Sequence, residues 1–197
     1  MLEIIKSIEQ GSEEWFAMRC GSVGSSRIKD ILAKGAGRKT LLYELASERI
    51  TGEKTDKYQS REMQIGIERE PEARQFFTLV TGIDVEQVAL VRNEMYFGNH
   101  SSPDGLIRED SGLEIKCPKQ ATHARWLDDG KLPNQHKAQC QHQMLICDRS
   151  HWHFMSYYPK MKPLIVEVER DPQYLQTMKT EITLFVADLN KLYKKIK

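Results

Sequence analysis

Along the N-terminal part of the chain, apolar positions recur every three or four residues, the spacing of helices with one buried side. Ser12 precedes a short run of this kind, Glu13 to Arg19. A glycine-flanked loop, Cys20 to Gly24, leads to Ser25 and Ser26, whose hydroxyls can cap a helix through Leu32. Thr40 to Ile50 reads as a third helix with Leu41, Leu42, Leu45 and Ile50 on one side, stopped by Gly52. Ser60 to Thr81 reads as helical on both sides of Pro71. Proline suits a first helical turn, so a break or fresh start is expected near Glu70.

The pattern then changes. Val85 to Val91 favours a strand, and Gly98 to Ser102 reads as a turn. Gly105–Ile107 and Leu113–Cys117 read as short strands joined by the polar turn Glu109-Asp110-Ser111-Gly112. Helices follow near Ala121–Asp129 and Asn134–Cys147, then strands at His151–Tyr157 and Leu164–Val168, and a long helix from around Pro172. The expected class is α/β or α+β, with helices flanking a central mixed sheet. The 197 residues fit one domain, 1–197, with no repeat or dividing linker.

Charge narrows the functional classes only slightly. The chain has 29 Lys and Arg against 28 Asp and Glu, a formal net charge of +1. A protein that coats nucleic acid usually carries a strong basic excess. An enzyme that grips DNA in one groove needs none, because its carboxylates gather metal ions that reverse the local sign. No stretch is apolar and long enough to span a bilayer. Glu3 and Glu9 interrupt the first apolar run, unlike a secretory signal. Cys20, Cys117, Cys140 and Cys147 form no CxxC pair, which fits reduced thiols in a cytoplasmic protein.

The candidate chemistry sits in Ser102-Pro103-Asp104-Gly105 and, after the nine residues Gly105 to Leu113, in Glu114-Ile115-Lys116. Two positions apart on a strand, Glu114 and Lys116 leave the same face while Ile115 turns into the core. Asp104 opens the partner strand, so two carboxylates and one ammonium converge if the hairpin pairs. Magnesium accepts such hard oxygens and keeps several waters. A bound metal polarises a phosphoryl oxygen and acidifies water, and a neighbouring lysine orients or deprotonates the attacking water. Taken singly, an Asp followed by ExK is common on surface hairpins with no function. The preceding proline, the gap and the apolar residue inside ExK set this one apart.

Pro103-Asp104 with Glu114-Ile115-Lys116 resembles the PD-(D/E)xK nuclease signature, and the surrounding blocks resemble the lambda-exonuclease type of viral recombinase, the YqaJ-like group. Four blocks match in order. They are Glu14-Trp15 with Arg19, Gly21 and Ser26; Gly66 with Glu70-Pro71-Glu72-Ala73-Arg74; Ser102–Gly105 with Leu113–Pro118; and Ala138-Gln139-Cys140-Gln141 before the aromatic strand Trp152 to Tyr158. The resemblance implies a restriction-endonuclease-like α/β core with an extra N-terminal helical layer.

It also implies roles. Asp104, Glu114 and the Ile115 carbonyl would hold two Mg²⁺ ions, or Mn²⁺ in their place, and Lys116 would position or activate the water. Glu70 would reach the same site, and Gln139 would support the lysine or the nucleophile. Arg19, Ser26 and Ser102 would cradle a DNA 5′-phosphate, a fitting task for a guanidinium fork and hydroxyls. The implied activity is 5′ to 3′ digestion of one strand of linear duplex DNA to mononucleotides, leaving a 3′ overhang. The implied partners are a homotrimeric ring of copies and a single-strand annealing protein. A structure- or sequence-selective endonuclease, or a DNA-binding module without catalysis, are the alternative readings.

Other residues invite weaker readings. Glu70 alone reads as a first-turn acid, and Arg19 as a helix end. His151, His153, Cys140, His142 and Cys147 match no common zinc spacing. Met63, Gln64 and Ile65 would either pack in the core or wedge a fraying duplex. The lysines from Lys191 to Lys197 read as a solvated helix end.

Overall fold

The computed structural model describes residues 1–55 and 60–197. Its strands are β1 (Leu2–Ile5), β2 (Val23–Gly24), β3 (Leu90–Asn93), β4 (Asn99–His100), β5 (Gly105–Ile107), β6 (Ser111–Lys116), β7 (His151–Ser156) and β8 (Leu164–Glu169). Its helices are α1 (Glu13–Arg19), α2 (Ile28–Leu32), α3 (Ala36–Thr51), α4 (Arg61–Thr81), α5 (Gln120–Asp129), α6 (Asn134–Cys147) and α7 (Pro172–Ile196), with short 3₁₀ turns at Ser25–Arg27 and Glu94–Tyr96.

The central sheet has the order β5-β6-β7-β8. Strands β6 and β7 are parallel, so the chain must cross over between them, and α5 and α6 make that crossing. The outer pairs, β5–β6 and β7–β8, are antiparallel. The sheet is therefore mixed and flanked by helices, as expected. Two small ribbons lie beside it: β1 with β3, antiparallel, and β2 with β4, parallel.

Helix α6 explains much of the packing. From Cys140 to Cys147 every residue is buried, because one side meets the sheet and another meets α2 and α7. One apolar cluster joins Ile31, Leu45, Leu145 and Phe185 of α2, α3, α6 and α7. A second gathers Met144 and Ile146 of α6 around Trp152 and Phe154. A third packs Ala73 and Phe77 of α4 on Leu113, Ile115 and Met155 of the sheet. Among the described residues no helix is long and apolar enough to cross a membrane.

Several elements differ from their expected form. Helix α4 runs unbroken through Pro71. The proline forfeits one bond to the Ile67 carbonyl, at a cost of about 3 kcal/mol or more. Burial of Ala73 and Phe77 and the Glu70–Arg74 ion pair keep the next turn in place. Gly98 has a left-handed φ of 80°, but the residues after it form β4 rather than a plain turn. Val23 N–H donates to Gly98 O at 2.8 Å, and Val91 and Ser101 exchange two backbone bonds. The expected strand Val85–Val91 is ordered as strand only from Leu90, where β1 becomes its partner. Glu86 makes an isolated bridge to Leu106.

The β5–β6 turn is also tighter than expected. Ile107 faces Ser111 and Leu106 faces Gly112, which leaves Arg108, Glu109 and Asp110 to turn the chain, Arg108 with a φ of 47°. Gly112 serves packing, because a Cβ there would lie 2.2 Å from the Trp152 ring. Ile50 is exposed, unlike Leu41 and Leu45, since five residues along a helix carry a side chain well off the buried stripe.

Candidate active site

Register brings the first two carboxylates together. Gly105 pairs with Leu113, so Asp104 stands beside Glu114 at the end of the hairpin, and Asp104 N–H donates to Leu113 O at 3.2 Å. Gly105 lets this happen, because a Cβ there would lie 2.1 Å from Val85 Cγ1. Asp104 Oδ2 accepts from Ile115 N–H at 2.5 Å. Glu114 is buried, and the Lys116 ammonium pairs with its Oε1. Strand alternation thus puts acid and amine on one face, while Ile115 enters the third apolar cluster.

Helix α6 supplies the rest of the Glu114 environment. Gln139 Nε2 donates to Glu114 Oε1 and Gln143 Nε2 to Oε2, each at 2.6 Å. These glutamines are four apart, so they share one side of the helix. On α4, Arg74 donates to Glu70 Oε1 at 2.5 Å and to the Asp104 carbonyl at 2.7 Å. That double contact carries Glu70 to the hairpin.

Three carboxylates therefore face two cations, the Lys116 ammonium and the Arg74 guanidinium. Burial pushes the Asp104 carboxyl well above the usual range, and the Glu114 and Glu70 charges add to the effect while Lys116 opposes it. Burial also raises Glu70, with Arg74 opposing and Glu114 reinforcing. For Lys116, burial pulls the pKa down, but Glu114 and Asp104 outweigh it and hold the amine above the ordinary lysine range.

This excess of acid oxygen fits a divalent cation. Among the described residues no three Asp, Glu, His or Cys side chains are disposed to cage an ion. Asp104 and Glu114 offer an open pair of hard oxygen donors, the kind that magnesium completes with water.

The expected phosphate cradle is only partly assembled. Arg19 lines a cleft of about 1050 Å³ together with Gln10, Trp15, Glu70, Arg74 and Asp104. Its guanidinium carbon lies 3.7 Å from the centroid of the Trp15 ring, and Nε donates to His100 Nε2 at 3.1 Å. Burial draws its pKa down to about 10, with Glu48 opposing. The Ser102 hydroxyl is buried and makes no hydrogen bond. Ser26 is exposed and lines a separate, smaller pocket with Lys29 and Gln139. No hydrogen bond among the described residues joins Arg19, Ser26 and Ser102.

Sequence reasoning missed Gln143, the tethering role of Arg74, and His100. The four-residue spacing of Gln139 and Gln143 was a usable signal for the first, whereas nothing local marks His100. Gln141 points elsewhere, binding Glu169 O and Asp171 N–H. His142 is buried against Ser25 Oγ at 2.9 Å, and His153 packs on the Phe77 ring. Met63 is exposed on α4, so it is not a core residue, while Ile65 is half-buried.

Residues 14–150 match the model of the YqaJ-like viral recombinase domain. The chain belongs to that family. Among solved structures, this YqaJ-like protein is similar to LHK-Exo, an alkaline exonuclease from Laribacter hongkongensis, at 33% identity and TM-score 0.88 over 94% of this chain and 96% of that one. The crystal structure of LHK-Exo in complex with dAMP gives 34% identity and TM-score 0.89 over the same shares. A phage-related exonuclease from Haemophilus somnus 129PT shares the fold at 14% identity and TM-score 0.67, over 89% of this chain and 96% of that one. No curated protein matches.

Proposed function

We propose that this YqaJ-like protein is a metal-dependent nuclease that works from the ends of linear duplex DNA, removing mononucleotides from one strand in the 5′ to 3′ direction and leaving a 3′ overhang. The observation that carries the reading is the Asp104–Glu114–Lys116 group on one hairpin face, joined by Glu70 in a cleft that Arg19 also lines. The alkaline exonuclease activity of LHK-Exo and its complex with a deoxynucleoside monophosphate, the product of one-nucleotide steps, support the same reading.

In this reading Asp104, Glu114 and the Ile115 carbonyl would hold two Mg²⁺ ions, or Mn²⁺ in their place. Bound metal supplies charge for the phosphoryl oxygens and a more acidic water. The residues of the chain do the rest. Gln139 and Gln143 hold both Glu114 oxygens, so the carboxylate meets its ligand in one fixed orientation. Lys116, held protonated beside Glu114, orients the attacking water and offsets charge building on the phosphate. Arg74 fixes Glu70 against the Asp104 backbone, and Arg19 meets the terminal 5′-phosphate. One domain, a homotrimeric ring around the duplex and a single-strand annealing partner complete the proposal.

Linear duplex labelled at one end and covalently closed circular DNA, each incubated with Mg²⁺, test it. The linear substrate should release labelled mononucleotide while the circle survives. Cutting of the circle would instead indicate an endonuclease.

A further inference from the structure

Arg19 is secured on one side and open on the other. Its Nε is engaged by His100 and its face by Trp15. Its two terminal nitrogens make no hydrogen bond or ion pair among the described residues, and they belong to a side chain lining the Glu70–Asp104 cleft. A planar fork held at its base and open at its tips is suited to two oxygens of one phosphate.

Donor and acceptor rules fix the rest. Arginine Nε can only donate, so His100 Nε2 must accept. The other ring nitrogen then carries the proton and donates to Ser22 Oγ at 2.6 Å. The Ser22 hydroxyl in turn donates to the Arg19 backbone carbonyl at 3.1 Å. The circuit begins and ends on Arg19. It requires a neutral imidazole, and full burial together with the nearby Arg19 charge keeps His100 in that form.

The backbone is built to admit this ring. His100 faces Gly24 across the two-residue pairing of β2 with β4. A Cβ at position 24 would lie 2.9 Å from His100 Nε2, the atom that receives Arg19. The β2–β4 ribbon thus brings the ring close to the arginine, and the absence of a side chain at position 24 makes room for it.

We infer that His100 is the positioning residue that gives the cleft its selectivity for a phosphomonoester at a DNA 5′ end, by holding the Arg19 fork open toward it. A terminal phosphomonoester carries close to two negative charges, against one for each internal diester. A fork fixed in place distinguishes the two better than a mobile cation. The inference rests on the reading of Arg19 as the end-binding residue.

The test compares binding of duplexes that differ only in a 5′-phosphate or 5′-hydroxyl, followed by fluorescence anisotropy in chelator. It uses the wild type and the variants His100→Gln, His100→Asn and Arg19→Ala, with thermal unfolding of each. Glutamine reaches the position of Nε2 and can accept from Arg19, whereas asparagine reaches only the position of Nδ1. His100→Asn should lower the phosphate preference about tenfold, the scale of one hydrogen bond to a charged group. His100→Gln should retain most of the preference. In turnover, the His100→Asn loss should fall on KM for phosphorylated ends.

If His100→Asn keeps the preference, or if both variants lose it equally, the inference is overturned while the reading of Arg19 stands. If the wild type shows no preference and Arg19→Ala changes nothing, the end-binding reading itself fails.

Discussion

The hairpin that carries Asp104, Glu114 and Lys116 and the ribbon that carries His100 are assembled in opposite ways. In the hairpin, the key residues lie within a short stretch of chain, and strand alternation alone aligns them. In the ribbon, Arg19, Ser22, Gly24 and His100 meet because two-residue strands pair across some 76 positions of sequence. The first arrangement is local and stiffened by two amides from α6, Gln143 buried and Gln139 half-buried. The second depends on tertiary packing to bring its parts together. Chemistry built locally shows in a sequence as a motif, and recognition built across the fold does not.

The strongest way to break the contrast is to remove the amine from the local site. Lys116→Ala should lower the cleavage rate about 10²- to 10³-fold, the scale of one preorganised donor that orients water and stabilises developing charge. DNA binding in chelator should persist. A variant that still cleaves at the wild-type rate would remove Lys116 from the chemistry.

Next in size is the amide support of Glu114. Gln143→Met keeps length but removes the donor to Oε2. The Mg²⁺ concentration for half-maximal activity should rise about 10- to 100-fold, as for other outer-shell partners. Isothermal titration with Mn²⁺ should show the same weakening. Unaltered metal affinity would reduce Gln143 to a packing residue.

A packing change inside the hairpin, at the turn end away from Asp104, is expected to have the next effect. Gly112→Ala forces a methyl against the Trp152 ring and should cost about 1–3 kcal/mol, the range for an overpacked core. Urea unfolding measures it, and the register of the Asp104–Glu114 hairpin should suffer with it. A neutral result would mean that the ring moves freely aside.

Acid should act on the two regions with opposite sign. Burial draws His142 down to about 3, and burial together with Arg19 holds His100 well below the usual imidazole value. The unfolded chain takes protons below about pH 6.5 that these folded histidines refuse, so their stabilising contribution fades as pH falls. Asp104 is raised well above its ordinary value, so its contribution is present at low pH and fades as pH rises. Lowering the pH from 7 toward 4 should therefore loosen amide protection in β2 and β4 before the β5–β6 hairpin. Native-state hydrogen exchange would show the order, and the reverse order would contradict it.

Much of this architecture was legible in the residues. Helix α6 has the bounds its flanking residues suggested, Asn134 to Cys147, and β7 and β8 lie within a residue of the expected ends. The Asp104–Glu114–Lys116 group was legible because a strand repeats every two residues. What escaped reading depends on partners elsewhere. Strand β1 is ordered by β3, β4 by β2, and the helix across Pro71 by the sheet beneath it. Gly112 has the composition of a turn but the job of making room for an indole. Gln143 follows Gln139 by one helical turn, but the stretch of α6 around it is buried on all sides, so the spacing alone does not tell which acid it meets.

The central claim is that Asp104 and Glu114 share a divalent cation at the mouth of the hairpin. Anomalous diffraction from crystals grown with Mn²⁺ tests it most directly. The account predicts density in contact with both carboxylates and the Ile115 carbonyl, lost in Glu114→Gln. Manganese bound at other residues in an enzyme that cleaves DNA, with nothing between Asp104 and Glu114, would contradict it.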